Sequence, residues 1–197
     1  ISEMVDLFFV RQKEPKGLGH AILCAKAFVG NEPFAVMLGD DVVANKTGKP
    51  AIKQLMEQYE LTGSSILGVQ EVPMEETRKY GIVQTNQMIR EGLYDLDNII
   101  EKPKLNPPGN LAVMGRYVLS PSIFEYLSKQ QPGALGEIQL TDAIAELMKK
   151  EKVYAYQFKG KRYDIGDKLG YLKAILDFAL ERDSLREALL GYIQELV

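Results

Sequence analysis

The sequence has few of the residues on which several classes of site depend. Among its 197 residues it has one cysteine, Cys24, one histidine, His20, and no tryptophan. A single cysteine excludes an intrachain disulfide framework and a cysteine-rich zinc site, and a single histidine excludes a multi-histidine metal site. Any chemistry in this chain should therefore rest on carboxylates, lysines and backbone groups.

Long apolar runs and a strong charge of one sign are also absent. No run approaches the roughly 18 residues that a membrane span needs. Lys and Arg total 24 and Asp and Glu total 27, and the net charge of −3 does not favour a nucleic-acid or anionic-membrane partner. With 46% hydrophobic and 26% charged residues, the composition is that of a globular protein. We therefore expect about one soluble domain in a reducing cytoplasm, with neither nucleic acid nor membrane as partner.

Apolar runs alternate with helical patterns over the first seventy residues. The predicted order is a strand at 5–10, a helix at 20–28, a strand at 34–38, a helix at 52–59 and a strand at 65–69. The runs at 5–10 and 34–38 predict buried strands, the second of them a central one. This alternation predicts a largely parallel sheet covered by helices, with ligands bound beyond the carboxyl ends of the strands.

The middle of the chain has a different pattern. Strand-like segments at 80–85, 99–101 and 111–119 predict an antiparallel or mixed insertion, at about 80–119, beside the main sheet. The remaining predictions are helices at 121–129 and 141–151, a strand at 153–158, a polar loop at 160–166, and closing helices at 169–180 and 185–196. We expect one domain over 1–168, and closing helices over 169–197 whose apolar stripes could contact another subunit.

Acidic residues follow two of the predicted strands. Asp40 and Asp41 come directly after the run at 34–38, and Asp164 lies in a glycine-containing loop far along the chain. Carboxylate and phosphate oxygens together are the ligands of hard cations such as Mg²⁺. Taken alone, the first pair is better explained by a polar turn leading out of the strand, and Asp167 could cap the following helix. The residue types alone do not decide whether these carboxylates meet.

Further candidates lie in the loops before and after predicted helices and strands. Gln12 has an amide that could pair with a base edge, and Gly17 lies in a glycine-containing loop where backbone N–H groups could meet a phosphate or a base. Glu101 could accept hydrogen bonds from sugar hydroxyls, Lys102 could neutralise a phosphate, and Glu137 lies in a possible substrate loop. A tight turn, a surface ion pair and a helix entry explain these features when each is taken alone.

Taken together, the sequences of six segments and their order along the chain form a specific signature. The segments are residues 10–21, Leu38-Gly39-Asp40-Asp41, Tyr80-Gly81-Ile82-Val83, Glu101-Lys102-Pro103, residues 136–142 and residues 161–168. In this order they closely resemble the bacterial UTP–glucose-1-phosphate uridylyltransferases, or UDP-glucose pyrophosphorylases. The resemblance runs from about residue 5 to about residue 174.

The resemblance implies an α/β fold of the nucleotide-diphospho-sugar transferase (Rossmann-like) type, with a mixed sheet sandwiched by helices. It implies that UTP and glucose 1-phosphate form UDP-glucose and pyrophosphate with Mg²⁺, in a protein that forms a homo-oligomer, a dimer or a tetramer, at full length. Carried over position by position, it implies uracil contacts by Gln12 and Gly17, Mg²⁺ ligation by Asp40 and Asp164, glucose contacts by Gly81 and Glu101, a phosphate contact by Lys102, and sugar-side roles for Asp41 and Glu137. Asp40, Lys102 and Asp164 would be its catalytic residues.

One family motif has no counterpart in this sequence. The family begins with a first strand and a glycine-rich loop of the type Gly-x-Gly-Thr-Arg, which wraps the triphosphate, and neither occurs here. The hypothesis is therefore an N-terminally truncated enzyme that turns over poorly or not at all. Three alternatives stay open: a nucleotidyltransferase for dTTP or another sugar 1-phosphate, a non-catalytic nucleotide-sugar binding module, and, less favoured, a phospho-acceptor domain.

Overall fold

A computed structural model describes residues 3–46, 48–133 and 136–196 of the chain. Its strands are β1 Phe34–Met37, β2 Asp41–Ala44, β3 Ser65–Glu71, β4 Gly81–Arg90, β5 Leu93–Glu101, β6 Leu111–Leu119, β7 Val153–Gln157 and β8 Lys161–Asp164. Six of them form one sheet in the order β1-β6-β3-β7-β5-β4, and β2 and β8 form a separate antiparallel ribbon. The eight strands therefore form one main sheet and one short ribbon.

Seven helices accompany the strands in the described part of the chain. They are α1 Leu18–Cys24, α2 Lys26–Val29, α3 Ala51–Thr62, α4 Ile123–Lys129, α5 Leu140–Met148, α6 Lys168–Leu180 and α7 Asp183–Leu196, with a 3₁₀ turn at Met74–Lys79. None of these described helices is both long enough and apolar enough to cross a bilayer. The predicted closing helices are confirmed as α6 and α7, although Val197 lies outside the described residues, as do Ile1 and Ser2.

The core lies on both faces of the six-stranded sheet. Successive residues of β3 alternate between the faces: Leu67 packs in a cluster with residues of α4 and α5, whereas Ile66 packs in a second cluster with Leu55 of α3. This period of two is what a sheet covered on both faces requires. The predicted mixed sheet between helices is therefore confirmed.

The sheet is less parallel than predicted, and the run at 34–38 was wrongly predicted to be central. Only β3 and β7 pair in parallel among the described strands, and β1 pairs with β6 alone. Its residues alternate between half-buried and exposed. The physical reason is that β6 enters the sheet between β1 and β3, so that antiparallel neighbours replace the expected parallel ones.

The strand predicted at 5–10 is wrong. The segment has no regular structure, and Phe8 and Phe9 are 74% and 90% exposed. A β-strand is stabilised by hydrogen bonds to a neighbouring strand, and this segment pairs with none of the described strands. The apolar composition of this segment was therefore not enough to predict a strand.

Two further predictions need correction. The segments at 80–119 form antiparallel strands, as predicted, but they lie within the main sheet and not beside it. The polar loop predicted at 160–166 contains β8, whose partner β2 follows Gly39 and was not predicted. Both errors concern pairing between residues far apart in sequence, for which a local pattern carries no signal.

Candidate functional site

A cavity of about 330 Å³ opens where β2, β8, the start of β4 and the end of β5 meet the entry to α5. Seven of the nine residues singled out in the sequence line it: Asp40, Asp41, Gly81, Glu101, Lys102, Glu137 and Asp164. The first and last of them, Asp40 and Asp164, lie 124 residues apart in the chain (164 − 40). The fold therefore brings most of the predicted site residues to one place.

The other two candidates, Gln12 and Gly17, border this cavity without lining it. The Nε2 atom of Gln12 donates to the carbonyl oxygen of Gly17 at 3.2 Å and lies 2.8 Å from Nδ1 of His20. Gly17 has a φ of 87°, and a Cβ placed there would lie 2.9 Å from the Cβ of Glu137. Only glycine fits both this conformation and this contact. The loop is thereby held against Glu137, a wall residue of the cavity.

The acidic end of the cavity is built on the β2–β8 ribbon. Asp41 lies directly opposite Asp164 in the antiparallel register. The N–H of Ile165 donates to the carbonyl oxygen of Asp40 at 2.8 Å. A Cβ placed on Gly166 would lie 3.3 Å from Oδ1 of Asp164 and 3.7 Å from Oδ2 of Asp40. The two carboxylates predicted to share a metal ion therefore flank the same glycine.

The donor set at this end fits a hard cation that also binds a substrate phosphate. Asp40 is exposed, and Oδ1 of Asp164 accepts from the N–H groups of Gly166 at 3.2 Å and Asp167 at 3.3 Å. The described residues contain no group of three or more His, Cys, Asp or Glu side chains suited to a metal. Two carboxylates are nonetheless enough for Mg²⁺, which completes its shell with water and phosphate oxygens.

Asp41 differs from the other two aspartates because it is buried and its contacts are shorter than those of Asp164. Its Oδ1 accepts from Nε of Arg162 at 2.6 Å, and its Oδ2 accepts from the N–H of Gly115 at 2.9 Å. Its carbonyl oxygen accepts from the guanidinium of Arg116. Because both carboxylate oxygens are already paired with the protein, Asp41 joins β2 to β6 and β8 at the floor of the cavity. Its predicted contact with a sugar stays a prediction.

Arg162 is the main residue that sequence reasoning missed. Its guanidinium also donates to the hydroxyl of Tyr80 at 3.2 Å and to Oδ2 of Asp164 at 3.4 Å. Burial acts to lower the pKa of Arg162, but the hydrogen bond and the charge of Asp41 outweigh it and raise that pKa above its usual range. The residue was visible in the motif at 161–168, where it precedes Asp164 by two positions and so points to the same face of the strand.

The opposite wall of the cavity is formed by the start of β4 and the end of β5. Gly81 lies opposite Glu101 in the register, and a Cβ placed on Gly81 would lie 3.3 Å from Oε2 of Glu101. Lys102 has a φ of 44°, which is unusual for a residue other than glycine. Its N–H donates to the carbonyl oxygen of Tyr80 at 3.0 Å, and its Nζ lies 3.7 Å from Oε1 of Glu101. Such strained conformations cluster at functional sites.

Two more wall residues escaped the sequence analysis. Burial raises the pKa of Tyr117, with the charges of Glu101 and Asp41 acting in the same direction, so this phenol is neutral at pH 7. Thr141 is buried, and its Oγ1 has no hydrogen-bond partner among the described residues. Tyr117 lies within an apolar run that predicts a core position, whereas Thr141 lies in the segment 136–142, in which the sequence pointed to Glu137 and not to Thr141.

The cavity therefore has two chemically distinct sides. One side has the carboxylates of Asp40 and Asp164, which suit a cation. The other has the ammonium of Lys102 beside the carboxylate of Glu101, which suits an anion that also carries hydroxyl groups. Glu137 lines the cavity as well, and its Oε2 accepts from Nε2 of Gln139 at 2.8 Å. Such an arrangement can hold a phosphorylated polyol next to a metal-bound phosphate.

Known proteins with similar sequences are nucleotidyl transferases. Residues 2–181 match the family model described as nucleotidyl transferase. The chain is 52% identical over 198 residues to a UTP–glucose-1-phosphate uridylyltransferase of Bacillus subtilis, an alignment that covers 100% of this chain and 66% of that protein. A relative of the same name from Staphylococcus epidermidis is 53% identical over 197 residues, covering 99% of this chain and 67% of that protein.

Solved structures agree with the sequence relatives. A UDP-glucose pyrophosphorylase in complex with UDP-glucose superposes with a TM-score of 0.85 at 46% identity, over 88% of this chain and 66% of that one. A UDP-glucose pyrophosphorylase from Acinetobacter baumannii superposes with a TM-score of 0.88 at 39% identity, over 100% of this chain and 68% of that one. The chain thus spans about two thirds of the length of these relatives. On these matches, the chain belongs to the nucleotidyl transferase family and, within it, to the UTP–glucose-1-phosphate uridylyltransferases.

Proposed function

We propose that this chain carries the sugar side and the metal side of an enzyme that makes UDP-glucose and pyrophosphate from UTP and glucose 1-phosphate. One observation carries the proposal: Asp40 and Asp164 lie in the same cavity as Glu101 and Lys102. A cation site and a site for a phosphorylated sugar must adjoin if two phosphate-bearing substrates are to react. The names of the relatives supply the identity of the two substrates.

In this proposal the sugar lies against the wall of β4 and β5. Glu101 accepts hydrogen bonds from glucose hydroxyls, and Gly81 leaves room for the ring because it has no side chain. Glu137 and Asp41 line the same cavity and are further sugar-side candidates. A carboxylate that pairs with a hydroxyl discriminates against analogues that lack the hydroxyl, because those analogues leave that hydrogen bond unmade.

Lys102 holds the phosphate of glucose 1-phosphate. One oxygen of this phosphate attacks the α-phosphorus of UTP in line and forms the new P–O bond. The bond from the α-phosphorus to the oxygen that bridges to the β-phosphorus breaks, and pyrophosphate leaves with the electron pair. No side chain becomes covalently modified, so the protein contributes mainly position and charge.

Asp40 and Asp164 would hold the metal ion, and nucleotidyl transferases of this family generally use a divalent one. We propose Mg²⁺, which when bound would offset the repulsion between the two anionic substrates and stabilise charge on the transferred phosphoryl group. Gln12 and Gly17 are the uracil contacts in this proposal, at the border of the cavity next to Glu137. We also propose a cytoplasmic location, for which the single cysteine is the supporting observation.

The experiment is a binding and turnover assay on the 197-residue chain. Calorimetry with glucose 1-phosphate and with UDP-glucose measures binding, and release of pyrophosphate from UTP plus glucose 1-phosphate with MgCl₂ measures turnover. We expect saturable binding of glucose 1-phosphate, with slow turnover because the sequence contains no Gly-x-Gly-Thr-Arg loop. A chain that binds neither ligand would contradict the proposal.

The same assay separates the alternatives. Parallel measurements with dTTP in place of UTP, and with galactose 1-phosphate in place of glucose 1-phosphate, test the choice of substrates. Binding of UDP-glucose with no detectable pyrophosphate exchange at any metal concentration would favour a non-catalytic binding module. Rapid pyrophosphate release by the chain would refute the expectation of poor turnover while supporting the proposed reaction.

A further inference from the structure

Arg162 touches three elements that form different parts of the cavity. Its Nε contacts Asp41 on β2, its Nη1 contacts the hydroxyl of Tyr80 in the segment before β4, and its Nη2 contacts Asp164 on its own strand. The guanidinium carbon also lies 5.1 Å from the centre of the Tyr80 ring. Its side chain is only 15% exposed. One planar group thus bridges the acidic end of the cavity and the wall opposite.

The contact with Tyr80 extends further, to the phosphate side. The carbonyl oxygen of Tyr80 accepts from the N–H of Lys102 at 3.0 Å, at the point where Lys102 has its positive φ. A chain of direct contacts therefore runs from Asp164 through Arg162 and Tyr80 to the backbone of Lys102. The residues at its two ends are those to which the proposed function assigns the metal ion and the sugar phosphate.

We propose that Arg162 is a positioning residue that fixes the placement of Asp164 relative to Lys102 and so aligns the two phosphate-bearing substrates. This inference rests on the proposed function. Arg162 has the required chemistry because its rigid fork presents five N–H donors in one plane, whereas an ammonium group is a compact charge that cannot reach three separated partners at once. A misplacement of about 1 Å in such a site can cost up to about a hundredfold in rate.

A purely structural role is the competing explanation, and it makes a different prediction. Asp41 is buried, and Arg162 neutralises it. If charge neutralisation were the only role of Arg162, a lysine at this position would replace it. The variant Arg162→Lys keeps the positive charge beside Asp41 but loses the contacts with Tyr80 and Asp164. It therefore separates the two roles.

The test measures stability, ligand binding and turnover for Arg162→Lys. We expect a melting temperature close to that of the wild type, glucose 1-phosphate binding in the absence of UTP and metal weakened at least about fivefold, and kcat lowered about tenfold or more. The matched control is Lys161→Arg, the reverse exchange at the neighbouring position of β8, where the side chain pairs with Asp177 outside this cavity. The control should bind glucose 1-phosphate as the wild type does.

A second variant covers the case in which Arg162→Lys is unstable. The double variant Asp41→Asn with Arg162→Gln removes both charges of the buried pair, so neither member of the pair is left charged without its partner. It should fold and show the same loss of glucose 1-phosphate binding. Adding Tyr80→Phe to Arg162→Lys should cause little further loss, because the contact between the two residues is already absent.

Three outcomes count against the inference, and they are distinguishable. If the wild-type chain binds glucose 1-phosphate and Arg162→Lys binds it equally well with unchanged kcat, Arg162 serves only to neutralise Asp41 and the proposed function stands. If the wild-type chain binds no glucose 1-phosphate, the proposed function fails and the inference fails with it. An additive loss on combining Tyr80→Phe with Arg162→Lys would refute the route through Tyr80.

Discussion

At the scale of single residues, neighbouring aspartates of this site have different surroundings. Asp41 is buried with both carboxylate oxygens paired, whereas Asp40 is exposed and retains its lone pairs for a ligand. Arg116 lies beneath them. Burial lowers its pKa, and the charge of Asp41 partly offsets that effect. Asp40, whose carboxylate could bind a cation, and Asp41, whose carboxylate supports the cavity, are thus consecutive residues at the start of β2.

Replacement of Lys102 tests the phosphate side. The substitution Lys102→Met keeps the length of the side chain and removes its charge, so glucose 1-phosphate should bind about tenfold more weakly, as expected for a lost hydrogen bond between charged groups. Calorimetry on the chain measures this effect. Lys104→Met is the matched control, because Lys104 is exposed and does not line the cavity. Equal losses in the two variants would mean that Lys102 acts only through overall charge.

Replacement of Asp164 tests the metal side. Asp164→Asn is nearly isosteric but removes the negative charge, so the affinity for Mn²⁺, used as a paramagnetic substitute for Mg²⁺, should fall at least about tenfold. Electron paramagnetic resonance of free Mn²⁺ gives the dissociation constant without turnover. Asp177→Asn serves as control, since this carboxylate pairs with Lys161 outside the cavity. Unchanged Mn²⁺ affinity in Asp164→Asn would remove Asp164 from the metal site.

At the scale of elements, the contact between β8 and α6 positions the acidic end of the cavity. Asp167 caps α6, because its Oδ2 accepts from the N–H of Gly170 at 2.9 Å, which was one of the alternatives left open by the sequence. Gly170 lies so close to β8 that a Cβ placed on it would be 1.9 Å from the carbonyl oxygen of Asp164. The helix therefore approaches the strand at the very residue assigned to the metal.

Substitution of two helical glycines by alanine, one at this contact and one away from it, tests the approach of α6 to β8. Gly170→Ala should lower the free energy of unfolding by about 3 kcal/mol, because the added methyl group forces α6 away from β8. Gly191→Ala, in α7, meets no atom within 4 Å and should raise the free energy of unfolding by about 0.5–1 kcal/mol through helix propensity. Urea denaturation measures both. Equal effects of the two substitutions would show that α6 does not depend on this approach.

At the scale of the whole molecule, the last two helices expose many large apolar side chains. Six of them, which together we call the α6–α7 face, are Leu169, Leu172, Ile175, Leu176, Leu185 and Leu190. Exposed apolar patches of this kind are typical of interaction sites. We propose that the α6–α7 face contacts a second copy of the chain, in agreement with the homo-oligomer that the family resemblance implied.

The substitution of both Leu172 and Ile175 by Glu tests this interface. Placing two charges on the α6–α7 face should convert an oligomeric chain to a monomer, because an unpaired charge in an apolar interface is costly. Light scattering after gel filtration gives the mass of each species. The control is Leu105→Glu with Met88→Glu, which places the same two charges at exposed apolar positions elsewhere. A wild-type chain that is already monomeric at tens of micromolar would contradict the proposal.

The sequence by itself determined the family, the positions of helices α3, α6 and α7, and most of the candidate site. Asp40, Asp164, Gly81, Glu101 and Lys102 were assigned because the segments that contain them resemble those of the uridylyltransferases, whereas taken alone each segment also fitted a turn or a surface ion pair. Helix α3 and the closing helices α6 and α7 were predicted from their amphipathic patterns. Their hydrophobic period is a local property of the chain.

Only the tertiary structure decided which strands pair and which residues hold the site in place. The apolar run at 5–10 remains exposed and the run at 34–38 lies at an edge of the described sheet, because burial of a strand depends on its neighbours. The contacts of Arg162 with Asp41 and Tyr80 form only after β2 and β8 pair. The candidate site residues lie in short motifs that are contiguous in the sequence, whereas the contacts that position them join distant segments and leave no local signal.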